Sequence, residues 1–154
     1  MYFDSLLMFD SELDIHGGSV ASTNSIPLGS RVNYDDAWNS HPGNSNIGAG
    51  NQVKVGFLIN DAVVSSGAPT LVVALQDSAD NATFANILLS ATLAGATLAT
   101  ACGSNTSGYE LEMTVPNSTR KYLGAYYTIG GTGGFTSMTI TGGILLDVQT
   151  NGVW

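Results

Sequence analysis

The residue types that could carry chemistry are few in this chain, and each stands in a context that argues against it. The two histidines, His16 and His41, could share a metal or move a proton with a carboxylate. Each neighbours Gly or Pro in a polar segment, which reads as an exposed loop position. Asp10, Glu12 and Asp14 resemble the opening of a calcium loop. That loop needs Gly at its sixth position and Glu at its twelfth, and those positions hold Ile15 and Ala21. A solvated strand face is the expected role of these acids. Glu110 and Glu112 share one face of a strand and could in principle act as a glycosidase pair, but such spacing usually serves solubility. Trp38, Tyr126 and Tyr127 could stack on a sugar ring, with core packing the first expectation for the two tyrosines. Cys102, between Ala101 and Gly103 with no basic neighbour, reads as a buried, inert thiol. Gly130–Gly134 lacks the Lys-Ser/Thr ending of a phosphate loop and reads as a hairpin connection. No nucleophile elbow of the G-x-S-x-G type is present. The expectation is a protein that is not an enzyme and uses no metal or cofactor.

The composition narrows the partners. In 154 residues, charged side chains make up 10%, against about 25% in an ordinary soluble domain. Nineteen glycines, with Ser, Thr and Asn, take their place. Twelve acidic against four basic residues give a net charge of −8, which repels nucleic acid and anionic membranes alike. The longest uncharged run, Asn81 to Tyr109, is too broken by Thr, Ser, Asn and Gly to read as a membrane span. The opening MYFDSLLMFDSELD has acids where a signal peptide carries bases, so synthesis in a reducing cytoplasm is expected. One cysteine excludes an internal disulfide framework.

The elements that must position these residues are strands. VKVGFLI at 53–59 and TLVVALQ at 70–76 are β-branched, apolar runs, the second suited to a central strand. YELEMTV at 109–115 alternates, and KYLGAYYTI at 121–129 is an aromatic strand. Thr136–Val148 supplies the last strand or pair, with a bulge or bend expected at Gly142-Gly143. Ser65–Pro69 and Gln76–Asn81 read as turns, and Phe84–Thr92 reads equally as strand or helix. Turn signals every ~8–12 residues predict an all-β fold, an antiparallel β-sandwich of about eight strands. Residues 1–15 form an N-terminal arm or first strand, and residues 16–154 a single domain with a long loop at 30–51, on which Tyr34 and Trp38 could anchor contacts.

Three stretches, MYFDSLLMFDSE, TLVVALQDSADNATF and RKYLGAYYTIGGTGGFTSMTITGGILLDVQ, occur in the order found in a known group. Together they resemble the capsid cement proteins of short-tailed bacteriophages, the family typified by a Bordetella phage. The resemblance covers most of the chain outside Ser30–Asn51. It implies a jelly-roll-like β fold on the outer surface of an icosahedral head. It also implies binding to the major capsid protein lattice as a symmetric oligomer, and no catalysis. A carbohydrate- or receptor-binding β-sandwich of a phage is the competing reading.

The residues expected to carry association are Tyr2, Phe3, Leu6, Leu7, Met8 and Phe9, because aromatic and Met side chains dominate interface cores. The same segment could equally be a strand that pairs inside its own subunit. The expected partners are the major capsid protein and a second copy of the chain, a homodimer ahead of a homotrimer because two-fold dimers are commonest.

Overall fold

The computed structural model describes residues 3–28, 53–103, 108–116 and 120–145. In chain order the elements are β1 (Phe3–Asp14), β2 (Val20–Ala21), β3 (Ile26–Pro27), β4 (Lys54–Ser78), β5 (Ala85–Leu89), β6 (Leu93–Ala94), α1 (Gly95–Cys102), β7 (Tyr109–Thr114) and β8 (Tyr122–Leu145). The fold is all-β apart from one short helix.

The apolar runs predicted at 53–59 and 70–76 are the two ends of one strand, β4, and the segment between them never leaves the sheet. β4 pairs antiparallel with β8 from Val55↔Ile144 to Ser78↔Tyr122. The outer edge of β4 takes β7 along its first part, and β6 and β5 along its last. The outer edge of β8 takes β1 opposite Thr139–Leu145, and β2 and β3 opposite Tyr122–Tyr127. The eight strands therefore form one antiparallel sheet with two halves strung on the same strand pair. The sheet curls until the halves face each other. Phe57, from the first half, meets Tyr127, from the second, edge-on with ring centroids 6.1 Å apart. Phe9 of β1 stacks on Phe57 at 5.9 Å. All three rings are fully buried, and around them pack Leu71, Leu75, Met138 and Ile140.

The bend lies where both long strands carry turn-type residues. Ser65–Pro69 and Gly130–Gly134, read from sequence as separate turns, are strand residues paired with each other, with Gly67 opposite Gly133 and Pro69 opposite Gly131. Gly67 and Gly133 have φ of +76° and +85°, values that side-chain-bearing residues rarely adopt. A Cβ on Gly133 would collide with the carbonyl oxygen of Ser66. The glycines thus let a continuous ladder fold over itself instead of ending it.

Other expectations change in detail. Gly142 and Gly143 stay in register with β4, and the irregularity falls on β1, between Met8 and Asp10. Gly142 is needed for room: a Cβ there would lie 2.5 Å from Cδ1 of Phe57. Phe84–Thr92 resolves as a strand, since Ala85–Leu89 pairs with β4. The helix α1 has no side-chain cap. It forms because Leu98 and Cys102 are buried against the sheet, and Gly95 lets it close onto Pro69 and Phe135.

Candidate functional site

Two of the three acids at the N-terminus form the solvated strand face expected of them, and one does not. Glu12 and Asp14 are exposed, but Asp10 is buried, which corrects the sequence-based expectation. The bulges in β1 turn Asp10 inward, where it accepts the hydroxyl proton of Tyr127 at 2.7 Å and the backbone N–H of Thr23 at 2.6 Å. Burial first, and then the charge and hydrogen bond of Asp10, push the Tyr127 phenol well above its ordinary pKa. Tyr127 is therefore a fixed hydrogen-bond donor in the core, not a sugar platform. Tyr126 is half-buried on the opposite face of β8.

A second polar cluster closes the far end of β4. Asp77 is buried; its carboxylate accepts from Nε of Arg120 at 2.8 Å and from the Arg120 backbone N–H at 2.8 Å, with Nη2 2.6 Å away as its ion-pair partner and donating to the Asp77 carbonyl at 3.1 Å. Burial raises the Asp77 carboxyl, but the Arg120 hydrogen bonds and charge outweigh it and leave its pKa below the ordinary value. Asp80 receives the amides of Ala82 and Thr83 at 3.0 and 2.9 Å and the Ser78 hydroxyl at 2.8 Å. The Thr83 and Ala82 amides, followed by Ser78, lower its pKa from 3.8 to about 2. A carboxyl whose folded pKa lies below its unfolded one stabilises the fold in full above about pH 4 and loses that contribution as the pH drops towards 2. Urea unfolding from pH 5 to pH 2 is expected to show falling stability, with a shallower fall in Asp80→Asn. Equal slopes for the two proteins would exclude this role for Asp80.

The remaining candidates are dispersed. His16 pairs with Asp14 at 2.8 Å, and both side chains are well exposed. Glu110 and Glu112 lie on the exposed face of β7, with Lys54 3.3 Å from Glu112. The Cys102 thiol is buried, donates to the carbonyl of Ile59 at 3.3 Å and has its pKa raised by burial, so it does not supply a thiolate. Among the described residues no group of three or more His, Cys, Asp or Glu could hold a metal ion. An open, uncharged groove of about 240 Å³ lies between the β2–β3 connection and the β4–β5 turn, lined by Ser22, Asn24, Gln76, Asn81 and Phe84 among others. Several of the polar side chains around it are tied to neighbours, Ser25 to Asn81 at 2.5 Å and Gln76 to Asn86 at 2.7 Å. His41, Tyr34 and Trp38 lie outside the described residues.

The structure brings Asp10, Tyr127, Phe9 and Phe57 together at the centre and leaves the predicted surface residues apart. A model of the Bbp16 family, a family of Bordetella phage proteins, matches residues 15–144. The chain belongs to the Bbp16 family. No curated protein matches it. The matched Bbp16 span takes in β2 to β7 and all of β8 but Leu145, with the Asp77–Arg120 cluster and Tyr127. It begins after β1, the strand that carries the predicted association residues. Of these, Tyr2 lies outside the described residues, while Phe3 and Leu6 belong to the paired backbone of β1. Leu7 and Met8 are half-buried, and Phe9 is fully enclosed, so Phe9 serves the core and is not a surface anchor. The roles of Asp10, Asp77 and Arg120 had no local signal. Each depends on a partner far along the chain, Tyr127 for Asp10 and Arg120 for Asp77.

Proposed function

We propose that this Bbp16-family protein is a structural virion protein, a cement subunit that binds the outer surface of the major capsid protein lattice and stabilises the icosahedral head. The match to a phage protein family over residues 15–144 carries this reading. The resemblance of the N-terminal, central and C-terminal stretches to capsid cement proteins gives it its specific form. The physical character of the chain agrees. A curled sheet organised on two long, continuous strands makes a stiff body, and a surface with few charges suits a protein packed against others. In this reading the protein is made in the bacterial host cytoplasm, acts as a homodimer, and works without catalysis, metal or cofactor. Leu7 and Met8 offer apolar area next to the lattice.

The test is to mix purified protein with heads that lack it. The expected result is decoration at a copy number near that of the shell protein, with heads that then survive a higher temperature before releasing DNA. Failure to bind heads, or attachment in only a few copies together with glycan binding, would overturn the proposal in favour of a receptor-binding module. Stoichiometric zinc or calcium in the purified protein would overturn the metal-free part.

A further inference from the structure

The sheet has three main outer margins, and they differ in charge. β1 is interrupted by three register shifts and displays Glu12 and Asp14. β7 displays Glu110 and Glu112. Breaks and charges of this kind are what keep an edge from pairing with another chain. β5 has one register shift against β4 but no charged residue, and it sits inside the uncharged stretch that runs from Asn81 to Tyr109. Among the described residues β5 pairs with β4 alone. Just beyond it the Ser90 amide donates inward to the Val73 carbonyl at 2.8 Å, so strand alternation turns the neighbouring Leu89 amide outward. Leu89 is also 56% exposed, a large apolar side chain left in solvent at this margin.

We propose that the free margin of β5 pairs with β5 of a second copy of this chain, antiparallel about a two-fold axis. The occupant follows from charge and symmetry. A chain of net charge −8 repels its own copies over most of its surface, and like charges placed opposite each other weaken strand pairing. The uncharged β5 margin is where two copies meet without that penalty. An antiparallel pair of identical strands about a two-fold axis is self-complementary, each strand offering the donors and acceptors the other needs. The contact also covers Leu89 on both copies. This inference rests on the homodimer part of the reading above and does not depend on which capsid surface is bound.

Sedimentation of the full chain and of Leu89→Glu tests it. The wild type is expected to be dimeric at micromolar concentration, with the variant's dimer dissociation constant at least about tenfold higher. Circular dichroism should stay the same, because position 89 is exposed, and the melting temperatures should agree at concentrations where both proteins are monomeric. Single cysteines at positions 85 to 89, in a chain whose own Cys102 is buried, should cross-link on oxidation with one clear maximum, since one position lies nearest its own copy across the axis. A dimer that Leu89→Glu leaves intact and that no β5 cysteine cross-links would overturn the β5 assignment while the homodimer stands. A wild type that is monomeric up to about 100 μM and does not cross-link would overturn both. Head decoration by the same samples reports separately on capsid binding.

Discussion

Phe57→Ala is expected to destabilise the isolated protein by about 3–5 kcal/mol. The ring lies between Phe9 and Tyr127, is fully buried, and joins the two halves of the sheet. Its removal empties a site that the backbone cannot collapse into, because β4 is held there by β7 on one side and β8 on the other. A domain stability of about 5–15 kcal/mol leaves little after such a loss. The melting temperature should fall by roughly 6–20 °C, on the usual scale of about 2–4 °C per kcal/mol for a chain of this size. Phe57→Leu, which keeps most of the volume, should cost clearly less. If both variants melt within a few degrees of wild type, Phe57 is not the joint described here. Gly142→Ala should partly mimic the loss from the other side, since its new methyl group would push the ring from its place.

Arg120→Ala is expected to destabilise the protein at neutral pH, through the carboxylate it abandons. The loss is smaller than for a fully buried ion pair, because the Arg120 side chain is 45% exposed and Asp77 keeps the amide of residue 120. The pH dependence separates this from a simple loss of packing. In wild type the Asp77 pKa lies below its ordinary value, so its contribution is present above the unfolded pKa and lost as the pH falls through the folded one. Without the guanidinium, burial is opposed only by the amide of residue 120, so most of what holds the carboxyl low is gone and acid costs the variant less than the wild type. The stability gap between the two proteins should narrow from pH 7 to pH 3. A gap that stays constant with pH would mean that Arg120 acts through its alkyl chain only. Asp77→Ala combined with Arg120→Ala should cost less than the sum of the single changes.

The sequence carried the strands whose signal is local. VKVGFLI and TLVVALQ announce buried β structure by composition, and YELEMTV announces its exposed acidic face by alternation. What stayed hidden depends on residues distant in the chain. GGTGG and SSGAP look like two turns because glycine and proline end strands when they act alone. Paired with each other they bend a strand pair that continues, and pairing is a tertiary fact. GATLATAC has neither cap nor strong helical periodicity, so its helix is imposed by the surface it covers. Asp10 reads as one of three solvated acids until Tyr127 is placed beside it. Phe9 likewise reads as a sticky residue on an arm until Phe57 supplies the wall against which it stacks.

The partnership of β4 with β8 also governs the life of the chain while it is being made. β4 is complete at Ser78, but the strand it needs along one whole edge starts only at Tyr122, and β1 too waits for residues up to Leu145. At about 5–20 residues per second, a ribosome takes roughly 2–9 s to bridge that interval. Throughout it the nascent chain holds a strongly apolar strand whose β8 edge is open, and whose opposite edge is also open until β5, β6 and β7 are made. Closing so long a loop is itself slow, as it is for any topology built on distant pairings. Folding is thus a late event of translation, and neighbouring ribosomes on one message hold identical sticky intermediates close together. The twelve acidic residues then act before any folded surface exists, as the charge that keeps unfinished copies apart.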